Sequence, residues 1–282
     1  MDQTVAEEIR GRLDRFTATE RRAAHALLAN YPLIGLQTVA EFAGRVGVSA
    51  PTILRFIGKL GFPAYADFQR RLHEELEAQL KTPLAKSPQP GTARDGAAPR
   101  HDFVGAVTAN MQETFRHLPP AEFDAVVALL ANEKLRIHLV GGRFTDALAR
   151  YMTAHLRIVR PRVAHIDGQE ANWPDQLIDF GRRDVLVIFD IRRYQETLLD
   201  FARAAEGRGV TIVLFTDQWL SPVSRVATHI LAARIAVPSA WDSSAAIMAL
   251  AEAVLAAVTE ASWQRSAGRM SELEALRGRG KG

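Results

Sequence analysis

The chain has 282 residues, with 35 Lys plus Arg against 32 Asp plus Glu, a formal charge of +3 and no cysteine. The length accommodates two domains, and the lack of cysteine excludes disulfides, thiolate metal sites and cysteine nucleophiles. The charge permits a nucleic-acid partner without demanding one, because it is not gathered into long Lys/Arg runs. Met1 to Arg15 is charged and amphipathic and lacks the apolar stretch of a signal peptide. No uninterrupted apolar run reaches the roughly 18–20 residues of a membrane helix, so a cytoplasmic chain without membrane partners is expected.

Residues 1–81 read as all helix. Ile9, Leu13 and Phe16, then Ala23, Leu27 and Leu28, recur at three- and four-residue spacing. Thr19-Glu20 opens a helix that Pro32 ends. Val39–Val46 makes a short amphipathic helix, and Gly47 can leave it in a left-handed conformation. Ser49 suits an N-cap, and Pro51 sits in the first turn of the next helix, where a missing N–H costs little. Ile53, Phe56, Ile57 and Leu60 form its buried stripe. Thr52, Arg55 and Lys59 lie outside that stripe. Two short helices around a glycine turn have the logic of a DNA-reading helix-turn-helix. Its candidate DNA contacts are Ser49, Thr52, Arg55, Lys59, Arg45 and Tyr65, with the N-terminal residues nearest the bases. Arg55 reads guanine, meets phosphate or helps hold the fold. The bland alternative is a surface helix of a protein-interaction domain.

The stretch Val48-Ser-Ala-Pro-Thr-Ile-Leu-Arg-Phe-Ile-Gly-Lys-Leu-Gly-Phe62, with Ala64-Tyr-Ala-Asp-Phe68 and the upstream run Leu13 to Pro32, resembles the N-terminal domain of RpiR/MurR-type transcriptional regulators. That resemblance covers about the first quarter of the chain.

Residues 82–102 exchange periodic hydrophobics for Pro, Gly and Ala and read as a mobile linker. From 103 to 265 two helices, about 103–117 and 120–132, precede alternating strands and helices. The strands are Leu135–Gly141, Arg162–Ile166, Asp184–Asp190, Thr211–Thr216 and His229–Ala232. Helices are expected near 145–159, 173–181, 194–208, 219–226 and 242–265. Near-continuous Val/Ile/Leu strands separated by helices predict an α/β doubly wound parallel sheet of five strands. The tail, 266–282, is rich in Gly, Arg and Lys and is expected to fray.

This half resembles a SIS (sugar isomerase) domain in layout and in Ile137-His-Leu-Val-Gly-Gly, Asp184-Val-Leu-Val-Ile-Phe, Arg208-Gly-Val-Thr-Ile-Val-Leu-Phe-Thr-Asp and Ser221-Pro-Val-Ser. The resemblance implies ligand loops after the first and third strands. In the first, Gly141 and Thr145 match the family pattern and Arg143 replaces a glycine. In the second, Arg192-Arg193-Tyr194-Gln195-Glu196-Thr197, only Thr197 matches, and both serines and the glycine of the pattern are replaced. Arg143, Thr145, Arg192, Tyr194 and Thr197 are the candidate effector residues, because arginine forks and helix starts suit anions. Equally open, these arginines are solvated strand-end charges or pair with Asp190, Glu196 or Asp146. A pocket that has lost its ligand is a third possibility.

Asp242 and Ser243 suit a helix cap, or a contact from a neighbouring subunit. His138, and His165 with Asp167, read as packed residues, with a catalytic role the lesser alternative. Trp173, Trp219 and Trp241 are taken for packing. No metal-ligand spacing, catalytic set or cofactor is expected. The reading is an operator-binding dimer or tetramer whose SIS-like domain senses a small anion, a phosphosugar or sugar acid. A phosphosugar isomerase and a ligand-independent DNA-binding dimer are the alternatives.

Overall fold

The computed structural model describes residues 4–80, 82, 85 and 98–279. Among them the chain forms two compact units, one taking Met1–Ala106, Gln218–Arg225 and Ala236–Asp242, the other Val107–Asp217, Val226–Ile235 and Ser243–Gly282.

The first unit carries helices α1 (Val5–Arg10), α2 (Ala18–Ala29), α3 (Val39–Val46), α4 (Ala50–Lys59) and α5 (Tyr65–Leu80). Each of α1, α2 and α3 opens with a threonine and a glutamate three residues on, Thr4–Glu7, Thr17–Glu20 and Thr38–Glu41, in reciprocal hydrogen bonds. These capping boxes satisfy backbone N–H groups that a helix start otherwise leaves unpaired. The box puts the start of α2 at Thr17, not Thr19. The core is Leu27, Phe42, Ile53, Phe56, Ile57, Phe68 and Leu72, all buried, with Phe16 edge-on to Phe56 at 5.1 Å.

Most of the expected linker lies outside the described residues, and its last part, 98–102, already belongs to α6 (Ala98–Arg116). Then follow α7 (Pro120–Ala131), β1 (Arg136–Gly141), α8 (Asp146–Val159), β2 (Val163–His165), α9 (Trp173–Gln176), β3 (Asp184–Asp190), α10 (Glu196–Glu206), β4 (Thr211–Asp217), β5 (His229–Ala233), α11 (Ala245–Ala261) and α12 (Trp263–Arg279). The five strands are parallel in the order β2-β1-β3-β4-β5. Every residue of β3 is buried, the mark of a strand covered on both faces. The order reverses between β1 and β3. Their following loops therefore diverge to opposite faces and leave a crevice, the place where such sheets take ligands.

Three expected helices differ. The 173–181 segment is one short helix between 3₁₀ turns at Glu170–Asn172 and Leu177–Asp179. The 219–226 segment is only a 3₁₀ turn, Pro222–Arg225. The closing helix breaks at Ser262, whose hydroxyl donates to Val258 O at 2.7 Å, and the chain bends by 99°. The tail then stays helical to Arg279 instead of fraying. Arg269 donates to Ile158 O and Arg157 O at 3.2 and 2.9 Å, and Ser266 to Val159 O at 3.3 Å, so α12 serves the unpaired carbonyls ending α8. Among the described residues no single helix is long and apolar enough to cross a membrane.

Candidate functional site

Two places collect chemistry. In the first unit, α3 ends at Gly47, with φ 69° and ψ 42°, and Val48 N–H closes on Ala43 O at 3.1 Å. Arg22 Nη2 donates to Val46 O at 2.7 Å and Gly47 O at 3.2 Å, fixing the turn from outside. Ser49 caps α4 with extended backbone. Its hydroxyl, instead of meeting an N–H, lies 2.9 Å from the Thr52 hydroxyl. Thr52 is buried, a correction to its expected freedom: it stands one turn before Phe56 and widens the buried stripe. Arg55 is exposed and donates to Thr52 Oγ1 at 3.1 Å, so Thr52 holds the guanidinium from behind.

Lys59 reaches back to buried Glu20, Nζ to Oε2 2.6 Å. It ties α4 to α2 while staying half-exposed. Tyr65 donates its hydroxyl to Gln37 O at 2.8 Å and Gly35 O at 3.1 Å. Burial, then the nearby Glu41 charge, pushes its phenol up to about 12. That hydroxyl is committed to the fold. Arg45 is exposed in the last turn of α3. The outward side of α4 thus presents Ser49, Pro51, Leu54, Arg55, Gly58 and Lys59. Leu54 was missed by the sequence reading, although a helical projection sets it opposite Phe56.

The second place is the crevice between β1 and β3. After β1 the chain turns so tightly that a Cβ on Gly141 would lie 2.4 Å from Asp146 N. Thr145 Oγ1 accepts Gly142 N–H at 2.8 Å and donates to Phe189 O at 2.5 Å, a staple from loop to β3. After β3, Asp217 at the end of β4 holds the second loop. It accepts Arg192 N–H at 2.6 Å and the Tyr194 hydroxyl at 2.8 Å. Burial, then the Asp217 charge, pushes the Tyr194 phenol well up, so it stays a donor.

Gln195 links the two loops. Its Oε1 accepts Arg143 N–H at 2.6 Å and its Nε2 donates to Glu170 Oε1 at 2.7 Å. The Arg143 guanidinium stands exposed, 5.2 Å above the Phe144 ring. Thr197 is exposed in the first turn of α10. The structure thus groups Arg143 with Gln195 and Arg192 with Tyr194. Gln195, Glu170 and Asp217 escaped the sequence reading, since nothing in the sequence links them to Arg143 and Tyr194.

His165 Nε2 meets Asp146 Oδ1 at 2.6 Å beside the crevice. His138 lies at the other end of the sheet against Asp184 at 2.9 Å, stacked on Phe180, and burial lowers its pKa. Ser243 accepts the N–H of Ala245 at 3.3 Å, but the N-cap of α11 is Ser244, whose side chain makes no cap hydrogen bond, so neither Asp242 nor Ser243 is the cap itself. Trp173 is buried against Phe201, Trp219 is buried, and Trp241 is exposed. No group of three or more His, Asp or Glu suited to a metal occurs among the described residues.

A helix-turn-helix unit on a chain that continues into a five-stranded parallel sheet defines a two-part architecture. A model of the helix-turn-helix domain of the rpiR family matches residues 3–79, and one of the SIS domain matches 129–257. The chain is of the RpiR type, an rpiR-family helix-turn-helix domain followed by a SIS domain. It is 24% identical over 234 residues to an uncharacterized HTH-type transcriptional regulator of Haemophilus influenzae, covering 80% of this chain and 78% of that one. It is 26% identical over 227 residues to the bifunctional protein glk of Burkholderia thailandensis, covering 79% of this chain and 34% of that protein. The chain therefore spans about a third of the length of these bifunctional relatives. In fold it is similar to the sugar isomerase domain of an RpiR transcription factor from Sphaerobacter thermophilus (TM-score 0.60, 20% identity, 64% of this chain, 99% of that one). It is also similar to the Vibrio vulnificus NanR protein complexed with ManNAc-6P (TM-score 0.55, 16% identity, 95% of this chain, 96% of that one).

Proposed function

We propose that this chain is a DNA-binding transcriptional regulator whose SIS domain senses a small anionic metabolite of the phosphosugar class, in the cytoplasm. The observation that carries the reading is the join itself: an rpiR-type helix-turn-helix unit with an outward α4 face, on the same chain as a SIS domain. Ser49 and Arg55 supply donors on that face, Thr52 positions Arg55, and exposed Arg45 in the last turn of α3 is assigned to the DNA backbone. Arg143, Arg192, Tyr194 and Thr197, on the loops after β1 and β3, are the residues assigned to that anion, and the NanR protein, solved with ManNAc-6P, supports the phosphosugar class. One recognition helix makes few contacts, so two copies on a repeated or palindromic site are required for tight binding. The ligand changes DNA affinity by binding two arrangements of the chain unequally.

A sensor is favoured over an isomerase because the basic groups near the crevice are engaged within the fold: His165 with Asp146, Glu170 with Gln195, and Asp217 with the Arg192 N–H and the Tyr194 hydroxyl. Catalysis needs a base placed beside the sugar. The test is gel-shift against duplexes selected from a random pool, with and without ManNAc-6P and other phosphosugars. Light scattering gives the oligomeric state, and proton exchange on the sugars is followed in parallel. Duplex binding that a phosphosugar alters supports the reading. Sugar turnover without duplex binding replaces it with an enzyme.

A further inference from the structure

A solitary exposed leucine is ordinary on a protein surface. Leu54 is 49% exposed, but its place is particular. It stands mid-way along the outward side of α4, one turn after exposed Pro51 and one turn before Gly58. A Cβ added at Gly58 would meet nothing within 4 Å. Leu54 is thus a single apolar ridge between two residues too short to hold a partner away. Beside it, Arg55 is held by Thr52, which in turn meets Ser49. The polar groups that fix the helix start flank an apolar tip with no packing role in the core.

In the major groove, the apolar feature that distinguishes one base from the others is the C5-methyl of thymine. We infer that Leu54 is a specificity-determining residue that reads a thymine methyl, with Arg55 as its polar neighbour. This rests on the proposal that α4 enters duplex DNA. The N-terminal half of a recognition helix faces base edges, and Leu54 lies on that half. Pro51 and bare Gly58 let the groove wall come close, and Leu54 then loses water against the methyl.

The test uses the full chain. Duplexes are selected from a random pool, and each thymine of the enriched site is replaced by deoxyuridine, which removes only the methyl. The wild type should lose about fivefold in affinity at one or two thymines per half-site. Leu54→Ala should bind the thymine and uracil duplexes alike, and Leu54→Met should restore the difference. Affinity for unselected duplex at low salt should be the same for all three, since phosphates supply it. A site without thymine, no uracil effect on the wild type, or an undiminished uracil effect in Leu54→Ala overturns the inference. Failure to enrich any duplex, with unselected DNA also ignored, overturns the DNA-binding reading with it.

Discussion

The carboxamide oxygen of Gln195 accepts the backbone N–H of Arg143 at 2.6 Å, joining the loop after β3 to the loop after β1 where the strand order reverses. The other end of the same side chain donates to Glu170 at 2.7 Å. A neutral oxygen therefore sits on a donor that an anion would bind more strongly. The packing is close: a Cβ on Gly142 would fall 2.5 Å from Gln195 Oε1. Gln195→Ala should lower the stability of the ligand-free protein by about 1 kcal/mol. It should also free the Arg143 N–H. Thermal unfolding with inorganic phosphate and with ManNAc-6P checks this: the anion-induced rise should be larger in the variant. A smaller rise would mean that Gln195 helps to bind the ligand instead of occupying its place.

Arg55 and Lys59 lie one turn apart on α4 and do different work. Arg55 is exposed and leans on Thr52, whereas Lys59 neutralises Glu20, whose side chain is 3% exposed. Arg55→Ala should leave the unfolding midpoint nearly unchanged and weaken duplex binding. Lys59→Ala leaves a buried carboxylate without its cation and should cost roughly 1–3 kcal/mol. Urea unfolding and gel-shift on the two single variants separate these effects. Equal stability of both variants would contradict the role given to Lys59.

Much of this was legible in the sequence, for local reasons. The β3 run Asp184–Asp190 is apolar from 185 to 189 because both of its faces are covered, and such a run declares itself without knowing its neighbours. The turn at Gly47 was equally readable, because a left-handed residue after an amphipathic helix is a local demand. What stayed hidden depends on partners far along the chain. Asp217 organises Arg192 and Tyr194 from 25 and 23 residues away, and nothing in its own surroundings says so. Likewise the tail after Ser266 is polar and looks free, yet Arg269 reaches carbonyls more than 100 residues earlier. Thr52 is set outside the stripe and Leu54 goes unassigned because the stripe is drawn through the apolar residues Ile53, Phe56, Ile57 and Leu60 alone. The threonine falls within the buried arc of α4 and the leucine outside it.

Gly47 is the residue on which the helix-turn-helix geometry turns. Its φ of 69° costs an L-residue roughly 1–2 kcal/mol. An added Cβ would also lie 2.9 Å from Arg22 Nη2. That guanidinium would have to move from Val46 O and Gly47 O, losing two hydrogen bonds. Gly47→Ala should therefore destabilise by about 2–3 kcal/mol. Gly47→Asn tolerates the left-handed region better but still meets Arg22. Urea unfolding of both, with Arg22→Ala as background, checks the division. In that background the alanine penalty should shrink to the backbone part, and an unchanged penalty would remove Arg22 from the account.

Glu75 gives the first unit a pH dependence of defined sign. On α5 it is almost wholly buried, accepts Val5 N–H at 3.0 Å and the Tyr31 hydroxyl, and has Arg71 Nε 3.4 Å away. Burial dominates over these donors, and Glu7 adds a like charge, so its pKa rises from 4.5 to about 7. The folded state thus holds this proton more tightly than the unfolded chain. Its contribution is complete below pH 4.5 and is lost as pH rises through about 7. The loss amounts to roughly 3 kcal/mol. Glu75→Gln imitates the protonated form, so the variant should match wild type near pH 4.5 and exceed it at pH 8. Hydrogen-exchange protection of the buried Phe42 and Phe68 amides reports on this unit directly, after correction for intrinsic exchange. A wild-type protection energy flat from pH 4.5 to 8, or a fall of the same size in Glu75→Gln, would show that Glu75 is ionised in the folded state at no cost.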